Sequence, residues 1–318
     1  MSTKKKIAST SAETGGDSKP IELSHTSVMP KEALEMLNLP KGGVAVDGTL
    51  GLAGHSLLMA QVLGPQGHLI GIDRDSASLG LAQKSLVSLE LKIDLLQGNF
   101  CKVDEILAVL KVSAVDGILL DLGISSVQLD DEARGFAFRF EGPLDMRMDS
   151  QGGGVSAADL VNSLKEAELE KIIWEFGEER FARRIAGSIV MNRSKAKITT
   201  TKQLSDIILR ALPKGYTRGR IHPATRTFQA LRIAVNEELE VLSRGIDTSF
   251  KMLKKGGRLC VISFHSLEDR IVKNKFKSLA VEQVGDILTK RPLVASEEEC
   301  ASNPRSRSAK MRGIERIG

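Results

Sequence analysis

Between positions 44 and 120, short apolar runs rich in β-branched residues alternate with amphipathic stretches, and that alternation constrains the fold more than any other feature of the chain. Residues 44–47, 68–72, 91–96 and 115–120 read as strands, and 30–38, 55–63, 76–88 and 102–111 as helices. In the first helix, Pro30 sits in the opening turn and Ala33, Leu34 and Leu37 share one face. Strands alternating with helices of this length join as βαβ units, which build a parallel sheet covered on both faces. Three of the strand segments run into a carboxylate: Asp47, Asp73 and Asp121. Open parallel sheets bind ligands beyond the carboxyl ends of their strands, so three acids mark one edge.

After Asp121 the alternation stops. Residues 159–212 read as successive helices with charged faces, and 224–254 as one long helical pattern. The strand signal returns only at 257–264. The expected architecture is one open α/β sheet interrupted after its fourth strand by an all-helical insertion. The division predicted is a disordered tail (1–23), a first part of the sheet domain (24–135), a helical insertion (136–222), a second part (223–300) and a basic C-terminal tail (301–318). The last segment has tail composition and no core-forming period.

The chain has 318 residues, of which 42% are apolar and 27% charged, an ordinary globular balance. No apolar run approaches the roughly 18–20 residues of a membrane span, and Ser, Thr and Gly follow Lys4–Lys6 where a signal peptide would be apolar. Cys101, Cys260 and Cys300 lie far apart, which disfavours a zinc ribbon or dithiol site. The five histidines lack ligand spacing, so no metal is expected. A cytoplasmic protein without membrane contact is the expectation. The net charge of +5 is mild, but it is unevenly spread. Residues 180–232 hold thirteen Lys or Arg against one acid, Asp206, whereas 159–179 hold seven acids and two lysines. A basic block of this size suits a polyanionic partner, because each neutralised phosphate releases counterions.

The segment DGTLGLAGH at 47–55 lies between a strand and a helix. Glycines there let a ligand approach bare backbone. The G-x-x-G-x-x-G spacing is neither the G-x-G-x-x-G of dinucleotide folds nor a P-loop. Asp73, at the end of the next strand, is placed to accept ribose hydroxyls, a device common to NAD and S-adenosylmethionine (SAM) enzymes. Asp47 favours SAM, since a carboxylate beside a pyrophosphate is repelled while a cationic ligand is not.

These residues belong to a longer pattern. HTSVM at 25–29, the 47–55 loop, IDRD at 72–75 and GILLDLGISSVQLD at 117–130 resemble the bacterial 16S rRNA (cytosine-N4) methyltransferases, the RsmH or MraW family. So do RGFAF at 134–138, GPLDMRMD at 142–149, GEERFA at 177–182, HPATRTFQ at 222–229 and SFHSLEDR at 263–270. Nine motifs in order, spanning most of the chain, make the resemblance specific. It implies a class I SAM-dependent methyltransferase fold with an inserted helical domain. It also implies methyl transfer from SAM to the exocyclic N4 of a decoding-centre cytidine, with 16S rRNA or the small ribosomal subunit as partner. Carried over by position, the cofactor contacts are Ala53, Gly54, His55, Asp73, Phe100, Asp121 and Gln128. The family commonly has glycine where this chain has Ala53, which fits if φ there is negative.

The cytosine amine is a poor nucleophile, so catalysis requires placement against the SAM methyl and acceptors for the amine hydrogens. Asp121 is the candidate catalytic acceptor. The aromatic that amino-methyltransferases usually carry three residues later is replaced by Ile124, so base stacking falls to Phe136, Phe138 or Phe264. His222, Arg226 and His265 are candidates for gripping phosphate or a base edge, while Glu268 and Asp269 read as helix N-terminal charges. The competing readings are an NAD-dependent dehydrogenase and a non-catalytic rRNA-binding assembly factor. The 224–254 helix leaves a homodimer open.

Overall fold

The computed structural model describes residues 27–213, 215–216 and 222–318. The expected N-terminal tail, His25, and Lys214, Arg218 and Arg220 of the basic block lie outside these. Among the described residues, seven strands form one sheet: β1 (Val44–Asp47), β2 (His68–Asp73), β3 (Lys92–Gln97), β4 (Val115–Asp121), β5 (Leu253–Ser263), β6 (Gly285–Ile287) and β7 (Lys310–Arg316). Their spatial order is β3-β2-β1-β4-β5-β7-β6. The first five strands run parallel, and β7 pairs antiparallel with both β5 and β6. The order reverses between β1 and β4, where Ala45 pairs with Gly117 and Asp47 with Leu119. A crevice opens beyond the carboxyl ends of the strands at such a reversal.

Both faces of the sheet are covered, as near-continuous apolar strands require. One side carries α1 (Pro30–Leu37), α2 (Gly54–Leu63) and α3 (Ser76–Leu86), whose Leu37, Met59, Leu63 and Leu86 are buried in one cluster with Leu69 and Leu119. The other carries α4 (Val103–Val109), with Leu107 packed beside Ile70, Ile118 and Val261. A third core, centred on Leu169, Ile173, Ile185, Ile189 and Leu204, belongs to the insertion. The insertion's helices are α6 (Ala157–Ser163), α7 (Glu166–Gly177), α8 (Ala182–Arg193) and α9 (Thr201–Ala211), preceded by the short α5 (Ser126–Asp130).

Two expectations are corrected. The single helix expected over 224–254 is two, α10 (Thr225–Asn236) and α11 (Glu238–Lys251). Glu237 between them has φ 52°, a left-handed conformation that ends the first helix. The break divides the two between cores: Phe228 and Leu231 are buried with the insertion, Leu242 and Ile246 with the sheet. The insertion's apolar core therefore reaches past residue 222 into α10.

Residues 301–318 are the second correction, because they do not form a tail. After α12 (Ser266–Val281) and α13 (Glu297–Ser302) the chain enters the sheet as β7, between β5 and β6. Met311 and Ile314 are fully buried there. The basic residues that look like tail composition are paired: Arg312 donates to Asp269 at 2.6 Å, and Lys310 lies 3.6 Å from the same carboxylate. A buried charge is tolerated in a strand when it is paired and hydrogen-bonded. Among the described residues, no helix is long and apolar enough to cross a membrane.

Candidate functional site

The reversal point of the sheet holds a cleft of about 310 Å³, lined on one side by the β1–α2 loop and the end of β2. Of the seven residues expected to contact the cofactor, six line it: Gly54, His55, Asp73, Phe100, Asp121 and Gln128. The seventh, Ala53, is fully buried and has φ +66°, the reverse of the negative φ that was expected to admit an alanine. Its left-handed backbone is the conformation that glycine adopts freely, and Ala53 adopts it to begin α2.

The loop is tied down from below. Asp47 accepts from Ser56 Oγ at 2.7 Å and from the Thr49 N–H at 3.2 Å, and it is 1% exposed. It therefore clamps the loop and does not face the cleft, so the charge discrimination expected of it passes to Asp73 and Asp121. Burial pushes the Asp47 carboxyl above its ordinary range, partly offset by His55 and Ser56. Gly48 lies against β4, where a Cβ would sit 2.5 Å from Leu120 Cδ2 and 3.0 Å from Phe100 Cβ, so that these side chains would have to give way. Asp73 holds the loop from the side: Oδ2 accepts from the Gly51 N–H at 2.8 Å, and Oδ1 from the Asp75 N–H at 2.8 Å. Burial pushes its carboxyl up to about 6.

Asp121 ends β4 opposite the loop, and its backbone N–H donates to Thr49 Oγ1 at 2.6 Å. His55 Nε2 lies 3.4 Å from Asp121 Oδ2. Burial alone would depress the His55 imidazole, but the Asp121 and Asp47 carboxylates carry it above its ordinary value. Asp121 Oδ1 is buried in the cleft wall without a hydrogen-bond partner among the described residues, while His55 Nε2 faces only Asp121 Oδ2. Buried polar atoms without partners are costly, and such atoms in a cleft are the ones a ligand completes. Gln128 lines the cleft with its amide already engaged: Nε2 donates to Asp75 at 3.0 Å, and Oε1 accepts from the Ser125 N–H at 3.1 Å. Arg134 joins it on Asp75 at 2.7 Å, which fixes the α5 turn over the cleft mouth.

The facing wall comes from α10, α11 and the end of β5. Arg232 donates to both carboxylate oxygens of Glu238 at 2.8 Å. Glu268 caps α12 by accepting from the Phe264 N–H at 2.8 Å and the His265 N–H at 3.2 Å, as an N-terminal helix charge should. Burial would raise the Glu268 carboxyl, but His265 and Arg232 hold it below its usual range. Sequence reasoning missed Arg232 and Glu238 as cleft residues. The only signal was the interval between them, bridging two helices, and it is legible only once the break at Glu237 is known.

Glu238, His265 and Glu268 bring ligand atoms within 4.8 Å of one another. Only part of this set is engaged: His265 Nε2 is buried without a hydrogen-bond partner among the described residues, 3.3 Å from Glu268 Oε1. Glu238 is taken by Arg232, and His265 Nδ1 accepts from the Glu268 N–H at 3.3 Å, which leaves the proton on Nε2. Of the three candidate stacking rings, Phe264 lines the cleft. Phe136 is buried in the helical core, and Phe138 stacks on His222 with centroids 4.3 Å apart. His222 and Arg226 do not line the cleft, and Arg226 lies 3.9 Å from the buried Glu179.

The lining suits a ligand with hydroxyls, a cationic end and an aromatic ring. Asp73 and Asp121 offer acceptors, while Leu50, Phe100, Leu122 and Leu129 offer apolar surface. SAM has that composition.

Comparison with known proteins agrees in kind. Residues 22–317 match the MraW methylase family. The Ribosomal RNA small subunit methyltransferase H of Geobacter sp. (strain M21) is 49% identical over 311 residues, covering 93% of this chain and 99% of that protein. The protein of the same name from Pelobacter propionicus is 52% identical over 309 residues, covering 92% and 98%. Among solved structures, an rRNA methylase from Streptococcus thermophilus aligns over 91% of this chain and 94% of that one, at 9% identity and a TM-score of 0.42.

Proposed function

The chain belongs to the MraW methylase family of SAM-dependent methyltransferases, and from that premise we propose that it methylates the exocyclic N4 of a cytidine in small-subunit rRNA. The observation that carries the reading is Asp121. It stands at the carboxyl end of β4 with Oδ1 buried and unpartnered among the described residues, in the same cleft as an aromatic face, Phe264.

The cofactor would supply a methyl group activated by its positive sulfur, which would keep the electrons of the broken methyl–sulfur bond and leave as a neutral thioether. The chain does the rest by placement. Asp73, already oriented by the Gly51 and Asp75 N–H groups, retains lone pairs for ribose hydroxyls. Phe100 and Leu122 take the adenine against apolar surface. Asp121 accepts a hydrogen of the target amine, which draws the nitrogen lone pair out of the ring, and takes the proton the nitrogen sheds as the N–C bond forms. His55, beside Asp121, steadies the carboxylate before that transfer. Phe264 stacks the target base, which has to leave its helix to reach so enclosed an amine acceptor. Arg232 and Glu268 face the base edge from the other wall.

Small ribosomal subunits from a strain lacking the gene, incubated with the protein and methyl-labelled SAM, are expected to carry label in rRNA as N4-methylcytidine. Label on another nucleoside would contradict the assignment of the amine, and no label in rRNA would contradict the reading as a whole.

A further inference from the structure

Trp174 is the single tryptophan of the chain, and its side chain lies outside every core. On α7, Leu169 and Ile173 are fully buried, whereas Trp174 is 59% exposed. A lone exposed apolar residue needs no explanation. This one, however, borders a hollow between the end of α7 and the first turn of α12, together with Glu178, Arg180, Leu267 and Arg270.

The charges around the hollow are not equivalent. Glu178 is spoken for: it accepts from Ser266 Oγ at 2.7 Å and from Arg270 at 3.0 Å, and these partners hold its carboxyl below the usual range. Glu179 is buried and accepts from Tyr216 Oη at 2.8 Å. Arg180 is exposed, rests over the rings of Phe181 and Tyr216 at 4.8 and 5.3 Å, and has no carboxylate partner among the described residues. One acid at the hollow, Glu175, is exposed and unpaired among the described residues, against Arg180. The hollow thus combines an aromatic face with a guanidinium free to take an anion.

Its position supplies the occupant. Phe264 and Glu268 line the cleft, and Leu267 and Arg270 line the hollow, so the first turn of α12 forms part of the wall of both. A polynucleotide with one base in the cleft carries its neighbours past this turn. Single-stranded nucleic acid is held by aromatic faces for its bases and cations for its phosphates. We propose that Trp174 is a stacking platform for an unpaired base flanking the target nucleotide, with Arg180 receiving the adjacent phosphate. The proposal rests on the reading of the cleft as the site of rRNA methylation.

Two measurements on the full chain test it. The first is methyl transfer to unmodified small ribosomal subunits. Trp174→Ala should raise KM for the subunit roughly tenfold or more, the loss expected for one base–aromatic stack, while kcat and SAM affinity hold, and Trp174→Phe should recover most of it. The second uses Trp174 as its own reporter. A cytidine-containing single-stranded RNA oligonucleotide should quench its emission, saturating together with the anisotropy of the labelled oligonucleotide. Wild-type KM in Trp174→Ala would overturn the platform. So would oligonucleotide binding that leaves the emission unmoved. Emission that shifts with protein concentration alone would assign the face to a second copy of the chain instead. Failure of the wild-type protein to methylate rRNA at all would strike the functional reading and not the platform alone.

Discussion

The two walls of the cleft are built by different means. The wall on the sheet side comes from strand ends and the loop after β1, and its polar groups are fixed largely by backbone N–H groups of that loop and of the strand ends: Asp47 by Thr49, with Ser56 Oγ, and Asp73 by Gly51 and Asp75. The facing wall is assembled from α10, α11 and α12, and its buried charges are satisfied across helices, as in Arg232 with Glu238. The first wall fits a small ligand of fixed shape, and the second closes over it with α10 from the insertion's core and α11 and α12 from the sheet's. A strand end followed by a glycine loop leaves a motif in the sequence, whereas a pair that forms only because the helix breaks at Glu237 leaves almost none.

That difference accounts for what was legible. Strands ending in Asp47, Asp73 and Asp121 announced both the parallel sheet and the ligand edge, because apolar runs and strand-end carboxylates are local signals. Strand β7 was illegible for the opposite reason. Its Arg312 is buried against Asp269, forty-three positions away, and nothing in the sequence near 312 reveals that partner. The break at Glu237 was hidden because each flanking segment is helical in pattern, and the left-handed residue between them is neither glycine nor asparagine. Ala53 shows the limit within a motif: the loop was readable, its backbone sign was not.

The comparison can be broken at several points. The largest effect is expected from deleting residues 310–318, which removes the strand between β5 and β6. That variant should yield no cooperatively unfolding protein, as judged by circular dichroism during heating, whereas a true tail would be dispensable.

Arg232→Met attacks the helical wall. It leaves Glu238 and Glu268 in the cleft wall without their cation, a loss of about 3 kcal/mol or more by the usual cost of breaking a buried pair. Urea denaturation should register that loss. A cost below about 1 kcal/mol, the level of an exposed pair, would mean the wall is not held by this ion pair.

Asp73→Ala attacks the sheet wall. SAM affinity should fall roughly a hundredfold or more, since the ribose acceptor and the support of Gly51 go together. The same residue sets a pH dependence. With its carboxyl at about 6, Asp73 is ionised at neutral pH and takes up a proton as the pH drops through 6. SAM affinity should then decline by about tenfold per pH unit, and Asp73→Ala should flatten the curve. Stability of the ligand-free protein runs the other way at this residue. Burial raises the carboxyl above its unfolded value of 3.8, so its cost to the fold is present above pH 6 and relieved between 6 and 4.

Asp121→Asn separates the two tasks that meet in the cleft. Turnover should drop on the order of a hundredfold with SAM binding nearly intact, the cost typical of removing one preorganised electrostatic group. A parallel loss of SAM affinity would make Asp121 a cofactor residue only.

The smallest effect belongs to the basic block. Lys195 and Lys197 are exposed, whereas Arg193 donates to the Val161 carbonyl at 2.7 Å and supports the fold. The double change of Lys195 and Lys197 to Ala should lower the log–log salt slope of RNA binding by roughly 1–2 units, about 0.7–0.9 for each phosphate no longer neutralised. An unchanged slope would place the RNA elsewhere on the molecule.

The division of labour between the walls is open to one direct measurement. Labelled SAM crosslinked to the full chain by ultraviolet light should mark, on peptide mapping, the segments carrying 47–55, Phe100 or 121–128. Label confined to 225–238 or 264–270 would put the cofactor on the helical wall and contradict the account.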